Sequence, residues 1–158
     1  MGGHCVKLLL VPLLFLAVTC AAYADTPEIV GTWQLTAFVN IVDGERVYPF
    51  GKNPQGFFTY TASGRLTIQI QNESPPAAWR SLNTASEDEG RGDASPWYVG
   101  YFGRYSVDPD AGEVIHHVEG GTLLHYIGTD QRRPFQLDGD SLFIGERGVW
   151  ERELVRVD

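Results

Sequence analysis

The chain predicts an all-β protein, an antiparallel up-and-down barrel of about eight to ten strands. Three observations carry this. Beyond the first two dozen residues no segment has a sustained 3.6-residue apolar period. Short runs of alternating apolar and polar residues recur instead, broken by Gly, Asp, Asn and Pro. The links between these runs leave no room for crossover helices, and closing the sheet on itself removes exposed edges.

The first 24 residues stand outside this pattern. A start carrying one cation, Lys7, leads into an apolar run from Leu8 to Cys20, and Ala22 and Ala24 sit where a signal peptidase needs small residues. The run is short of the roughly 20 residues of a spanning helix, and Pro12 interrupts it. The expectation is a signal peptide cut after Ala24 and a secreted or periplasmic product with no stable membrane insertion. Lipidation at Cys20 fits less well, because Thr19 stands where Gly, Ala or Ser is expected. Both cysteines, Cys5 and Cys20, fall in this leader, so the remaining chain has no thiol.

Residues 25–158 are enough for one domain with a proper core and too few for two. Loss of Lys7 takes the formal charge from −8 to −9, and only Lys52 remains as a lysine. Nucleic acid and anionic membrane surfaces need clustered positive charge and are poor partners.

Nine strands are expected. Gly31–Asn40 alternates with Trp33, Leu35, Ala37 and Val39 on one side, and Asp43-Gly44 forms a tight turn. Phe57–Thr61 and Arg65–Gln71 read as a hairpin through Ala62-Ser63-Gly64, setting Phe58 opposite Ile68 and Tyr60 opposite Leu66. Residues 72–96 are acidic and loop-like, with one short helical possibility at Ala77–Leu82. Strands resume at Trp97–Val107, Glu113–Val118, Thr122–Ile127, Arg132–Leu137, Ser141–Gly145 and Val149–Val157. GKNPQG (Gly51–Gly56) lacks the ending of a phosphate loop and reads as a turn.

VIHHVEGGTLLHYIG (Val114–Gly128) carries the polar chemistry. With Gly120-Gly121 as a two-residue turn, His116 faces His125 and shares an inward side with Val114, Val118, Leu123 and Ile127. His117 points outward with Glu113, Ile115 and Glu119. The preceding hairpin sets Tyr105 opposite His116, giving an inner row of Tyr105, His116 and His125. A one-residue slip would turn every apolar side chain outward.

Three readings of that row compete. It is a set of buried, mutually hydrogen-bonded groups; a polar anchor for a ligand in an apolar cavity; or a metal site. Zinc would want a third protein ligand, and Glu119 and His117 face away, so the metal reading is weakest. Proton transfer by a His–Tyr pair remains beside them. The chain shows no nucleophile elbow, no HExxH and no carboxylate pair placed by spacing, and implies no cofactor.

GTW at Gly31–Trp33, PFGKNPQGFFTYTASGRL at Pro49–Leu66, YFGRYSVD at Tyr101–Asp108, VIHHVEG at Val114–Gly120 and GTDQRRPFQLDGDSLFI at Gly128–Ile144 resemble the bacterial and fungal lipocalin-like domain proteins, relatives of the calycin barrels. The resemblance implies a small barrel with a cavity for an apolar molecule, and no particular reaction. It also implies that Trp33 closes one barrel end, with Arg152 or Arg156 packed across it.

The expected function is therefore binding of a small apolar or amphipathic molecule. The expected cavity residues are Trp33, Leu35, Phe58, Tyr60, Leu66, Ile68, Tyr101, Tyr105, His116 and His125, with no metal ligands. The alternative is a cofactor-free isomerase or cyclase with His116 and Tyr105 as acid and base, for which His116→Ala would abolish turnover and leave the melting temperature nearly unchanged. A third possibility is a packed barrel without a ligand. Protein partners are not legible in the chain.

Overall fold

Alternation along the chain becomes a closed cylinder in the computed structural model, which describes residues 28–74 and 97–158. The leader and the helical possibility at Ala77–Leu82 lie outside the described residues. The strands are β1 (Gly31–Val42), β2 (Glu45–Val47), β3 (Gln55–Tyr60), β4 (Arg65–Gln71), β5 (Tyr98–Asp108), β6 (Glu113–Gly121), β7 (Asp130–Asp138), β8 (Ser141–Glu146) and β9 (Trp150–Arg156). Each hydrogen-bonds antiparallel to its neighbours in the order β2-β1-β3-β4-β5-β6-β7-β8-β9, and β1 also pairs with β9. Eight strands thus close an antiparallel barrel. The short β2 folds back on the end of β1, pairing Asn40 with Val47. Among the described residues no helix is long and apolar enough to cross a membrane.

The expected hairpin registers hold where a tight turn sets them. Phe58 pairs with Ile68 and Tyr60 with Leu66, and Tyr105 pairs with His116 and Val107 with Val114. Gly64 takes the positive φ of 78° that its loop requires. The inward side chains of these strands join Trp33, Leu35, Leu142, Ile144 and Leu154 in one buried cluster.

Two bulges alter the alternation. On β1, Leu35 pairs with Leu154 but Ala37 pairs with Glu153, so Thr36 is an extra residue. Beyond it the inward parity reverses. Phe38 and Asn40 face the barrel interior, and Val39, although fully buried, lies outside the main cluster. The expected single face of Trp33, Leu35, Ala37 and Val39 is corrected accordingly. On β6, Phe102 pairs with Gly120 and Gly103 with Val118, leaving Glu119 as the extra residue. A Cβ on Gly103 would run into the carbonyl oxygen of His117. That oxygen is held by the strand and cannot yield cheaply. Gly103→Ala is expected to cost about 1–3 kcal/mol, seen as a lower urea midpoint with an unchanged slope.

The segment Thr122–Ile127 is not a strand. Gly120 and Gly121 continue β6, opposite Phe102 and Tyr101. The reversal comes later, around a single 3-10 turn at Leu124–Tyr126. The glycines serve close approach rather than a hairpin. A side chain at Gly120 would meet the Phe102 ring, and one at Gly121 would meet Gly100 and Tyr101. His116 consequently pairs with Gln131, not His125.

Candidate functional site

The barrel is filled at one end and open inside at the other. At the filled end Trp33 is fully buried, and its Nε1 donates to the Ile29 carbonyl at 2.9 Å. The Arg156 guanidinium lies 4.1 Å from the Trp33 ring centroid and donates to the Val30 and Glu28 carbonyls. Arg156 is therefore the arginine across the first-strand tryptophan. Arg152, the other candidate, points into the interior further along β9.

Towards the opposite end lies a cavity of about 520 Å³, to which each of the eight barrel strands contributes. Its walls are mostly apolar: Phe38, Phe50, Phe58, Ile68, Ile70, Val99, Leu123, Ile144 and Trp150. The polar groups on it are Asn40, Tyr101, His116, Tyr126, Arg133 and Arg152. This balance, an apolar wall with a few placed polar groups, is what binding of a small organic molecule requires.

His116, only 1% exposed, sits at the inner edge of this space. Its Nε2 lies 2.9 Å from the Tyr60 hydroxyl and its Nδ1 2.9 Å from the Tyr101 hydroxyl. A neutral imidazole donates at one nitrogen and accepts at the other, so either tautomer satisfies both tyrosines. Burial, helped by the Arg133 charge and by His117, pushes the imidazole down to about 3, which keeps it uncharged. Burial likewise pushes the Tyr101 phenol up to about 12 and Tyr60 well above its ordinary value. Every buried side-chain polar atom among the described residues has a partner.

Of the ten residues expected in the cavity, Phe58, Ile68, Tyr101 and His116 border it. Trp33, Leu35, Tyr60, Leu66 and Tyr105 are buried in the packed part of the barrel. His125 is brought to neither place. It is exposed on the 3-10 turn, edge-on to Tyr126 at 4.7 Å between ring centroids. The inner row thus loses its third member, because the turn it depended on is absent. Tyr105 is the cross-strand neighbour of His116, but its hydroxyl donates to the Thr61 carbonyl at 2.9 Å. The tyrosines that hold the imidazole are Tyr60, on β3, and Tyr101, on β5.

His117 faces outward as expected, with Nδ1 2.7 Å from Asp130 and Nε2 2.9 Å from Ser106. Among the described residues no three His, Cys, Asp or Glu side chains gather to hold a metal ion.

Sequence reasoning missed Arg133, Arg152, Tyr126, Trp150 and Asn40 as cavity residues. For part of this the signal was present. Arg133, Phe135 and Leu137 alternate on β7, and Trp150, Arg152 and Leu154 alternate on β9, with the apolar members marking the inward side. An arginine in such a row reads as a strand end or surface residue until the enclosing wall is known.

No curated protein matches the chain. The family model described as a lipocalin-like domain matches residues 30–152, which span every barrel strand from the start of β1 to the middle of β9. With its closed eight-stranded antiparallel barrel, its first-strand tryptophan under a last-strand arginine and its cavity at the other end, the chain belongs to the lipocalin-like domain family.

Proposed function

We propose that the protein is exported and binds a small apolar or amphipathic molecule in the barrel cavity. The observation that carries this is the cavity itself, about 520 Å³ of space with a largely apolar wall in a barrel otherwise packed with side chains. Family membership points the same way, and the signal-like leader supports export.

Acid–base catalysis fits the same residues less well. A general acid or base works best with a pKa near the working pH. His116 at about 3 and Tyr101 at about 12 lie far on either side of neutrality, each moved first by burial. Tyr105, the alternative partner, is committed to the Thr61 carbonyl. Groups so arranged hold one another in place by hydrogen bonds and exchange protons poorly.

Native mass spectrometry of the purified protein is expected to show a co-purified small molecule, or uptake of the neutral dye N-phenyl-1-naphthylamine at one per chain. Leu123, on the connection after β6, borders the cavity and is only partly buried. Leu123→Trp should occupy part of the space and weaken dye binding at least tenfold, read by fluorescence titration. A wild-type protein that carries nothing and takes up no dye would be a packed structural barrel, and the binding reading would fall.

A further inference from the structure

The described arginine side chains of this barrel fall into three groups. Arg46, Arg65, Arg104, Arg132 and Arg156 each form an ion pair with an Asp or Glu side chain. Arg147 is exposed, where water solvates its charge. Arg133 and Arg152 differ from both: they border the apolar cavity, and among the described residues no Asp or Glu lines it. Glu151, next to Arg152 in sequence, alternates to the other side of β9, where its carboxylate accepts from Arg46 and the Gly148 backbone.

The two guanidinium groups converge. Each lies 5.3 Å from the Trp150 ring centroid. They come from β7 and β9, the two strands that flank β8, whose Ile144 pairs with Arg152. Arg152 donates to the Val39 and Glu151 carbonyls and to the Asn40 Oδ1, and lies 3.3 Å from the Phe38 ring centroid. Arg133 donates to the Tyr126 hydroxyl and to the Gln131 Oε1, each at 3.2 Å, and its charge acts on the Tyr101 hydroxyl. These bonds leave N–H donors over on both groups, since a guanidinium carries five. Among the described residues they leave both positive charges without a negative partner. Holding two like charges beside one ring, each half-buried and partly shielded from water, opposes folding unless something offsets it.

We propose that Arg133 and Arg152 form a site for the carboxylate head of an amphipathic ligand, whose hydrocarbon portion lies along Phe58, Ile68, Ile70 and Ile144. This rests on the reading of the cavity as a ligand site and adds the chemical class of the ligand. A carboxylate takes two parallel N–H bonds from one guanidinium, a fit that an alcohol or an amine cannot reproduce. The Tyr126 hydroxyl, which accepts from Arg133, stands beside it with its own O–H as a further donor. The same carboxylate would cancel the repulsion that, after burial itself, most lowers the pKa of Arg152.

The test is displacement of bound N-phenyl-1-naphthylamine from the protein at neutral pH by three molecules of one chain length, dodecanoate, dodecan-1-ol and dodecylamine. Dodecanoate is expected to reach half-displacement at a concentration at least tenfold below dodecan-1-ol, with the protonated amine weakest. Arg133→Gln should shrink the carboxylate-to-alcohol ratio several-fold, and adding Arg152→Gln should bring it near one. An alcohol as effective as the carboxylate on wild-type protein overturns the proposal, as does a ratio unchanged in Arg133→Gln. Should Arg152→Gln fail to fold, the wild-type series and Arg133→Gln decide the matter. Dye uptake without any head-group preference leaves the binding reading standing and removes only this one; no uptake at all removes both.

Discussion

Trp33→Ala is expected to lower the melting temperature by roughly 10–20 °C. The indole is fully buried and its Nε1–H is bonded to the Ile29 carbonyl. Arg156 covers the ring. Removing the side chain deletes its burial, opens a void that the surrounding strands cannot close, and strands a carbonyl. A Phe or Trp truncated to Ala in a core typically costs about 3–5 kcal/mol. The register of β1 on β9 pairs Trp33 with Arg156, so barrel closure itself runs through this contact. Calorimetry of the variant checks this, and a fall of only a few degrees would mean that the plugged end contributes little to stability.

Stability is expected to fall by about 3 kcal/mol between pH 7 and pH 4 through His116 alone. Its folded pKa of about 3 lies below the ordinary value of 6.5 that it recovers on unfolding. Between those two values the unfolded chain binds a proton that the folded chain refuses. The contribution is therefore complete above about 6.5 and is lost progressively as the pH drops toward 3. His116→Gln keeps one donor and one acceptor between Tyr60 and Tyr101 but does not titrate. The variant should begin less stable at pH 7 and then show a flatter decline. Glu151, held below its ordinary value first by the Gly148 backbone N–H, loses its own contribution at lower pH in both proteins and cancels in the difference. Urea denaturation of the pair at several pH values reads this directly. Parallel curves would show that the imidazole is not kept neutral by burial. A near-constant melting temperature in His116→Ala, expected from the sequence for a catalytic histidine, no longer fits a side chain bonded at both ring nitrogens.

Much of the fold was legible because the chain states it twice. The turn at Ala62-Ser63-Gly64 and the alternation on either side of it agree, so β3 and β4 pair as expected. The same agreement set Tyr105 against His116. Where only one signal was present the reading failed. Gly120-Gly121 has the composition of a tight turn, yet the Phe102 ring and the Gly100 backbone occupy the space that side chains there would need. That requirement comes from a neighbouring strand and leaves no trace in the local sequence. His125 was misplaced as a direct result.

From the sequence alone came the barrel, its up-and-down order and the inward histidine, each from a period of two along the chain and from turn chemistry, which are local properties. The tryptophan plug came only from the resemblance to the lipocalin-like proteins. Only the tertiary structure decided where the cylinder is filled and where it is hollow. The extra residue at Thr36 exchanges Ala37 and Val39 for Phe38 and Asn40 on the inner wall. Closure of β9 on β1 and the curl of β7 bring Arg152 and Arg133 to the same tryptophan. Alternation tells which residues share a side, but a bulge resets that parity, and only the closed wall determines whether a charge meets water or an enclosed space.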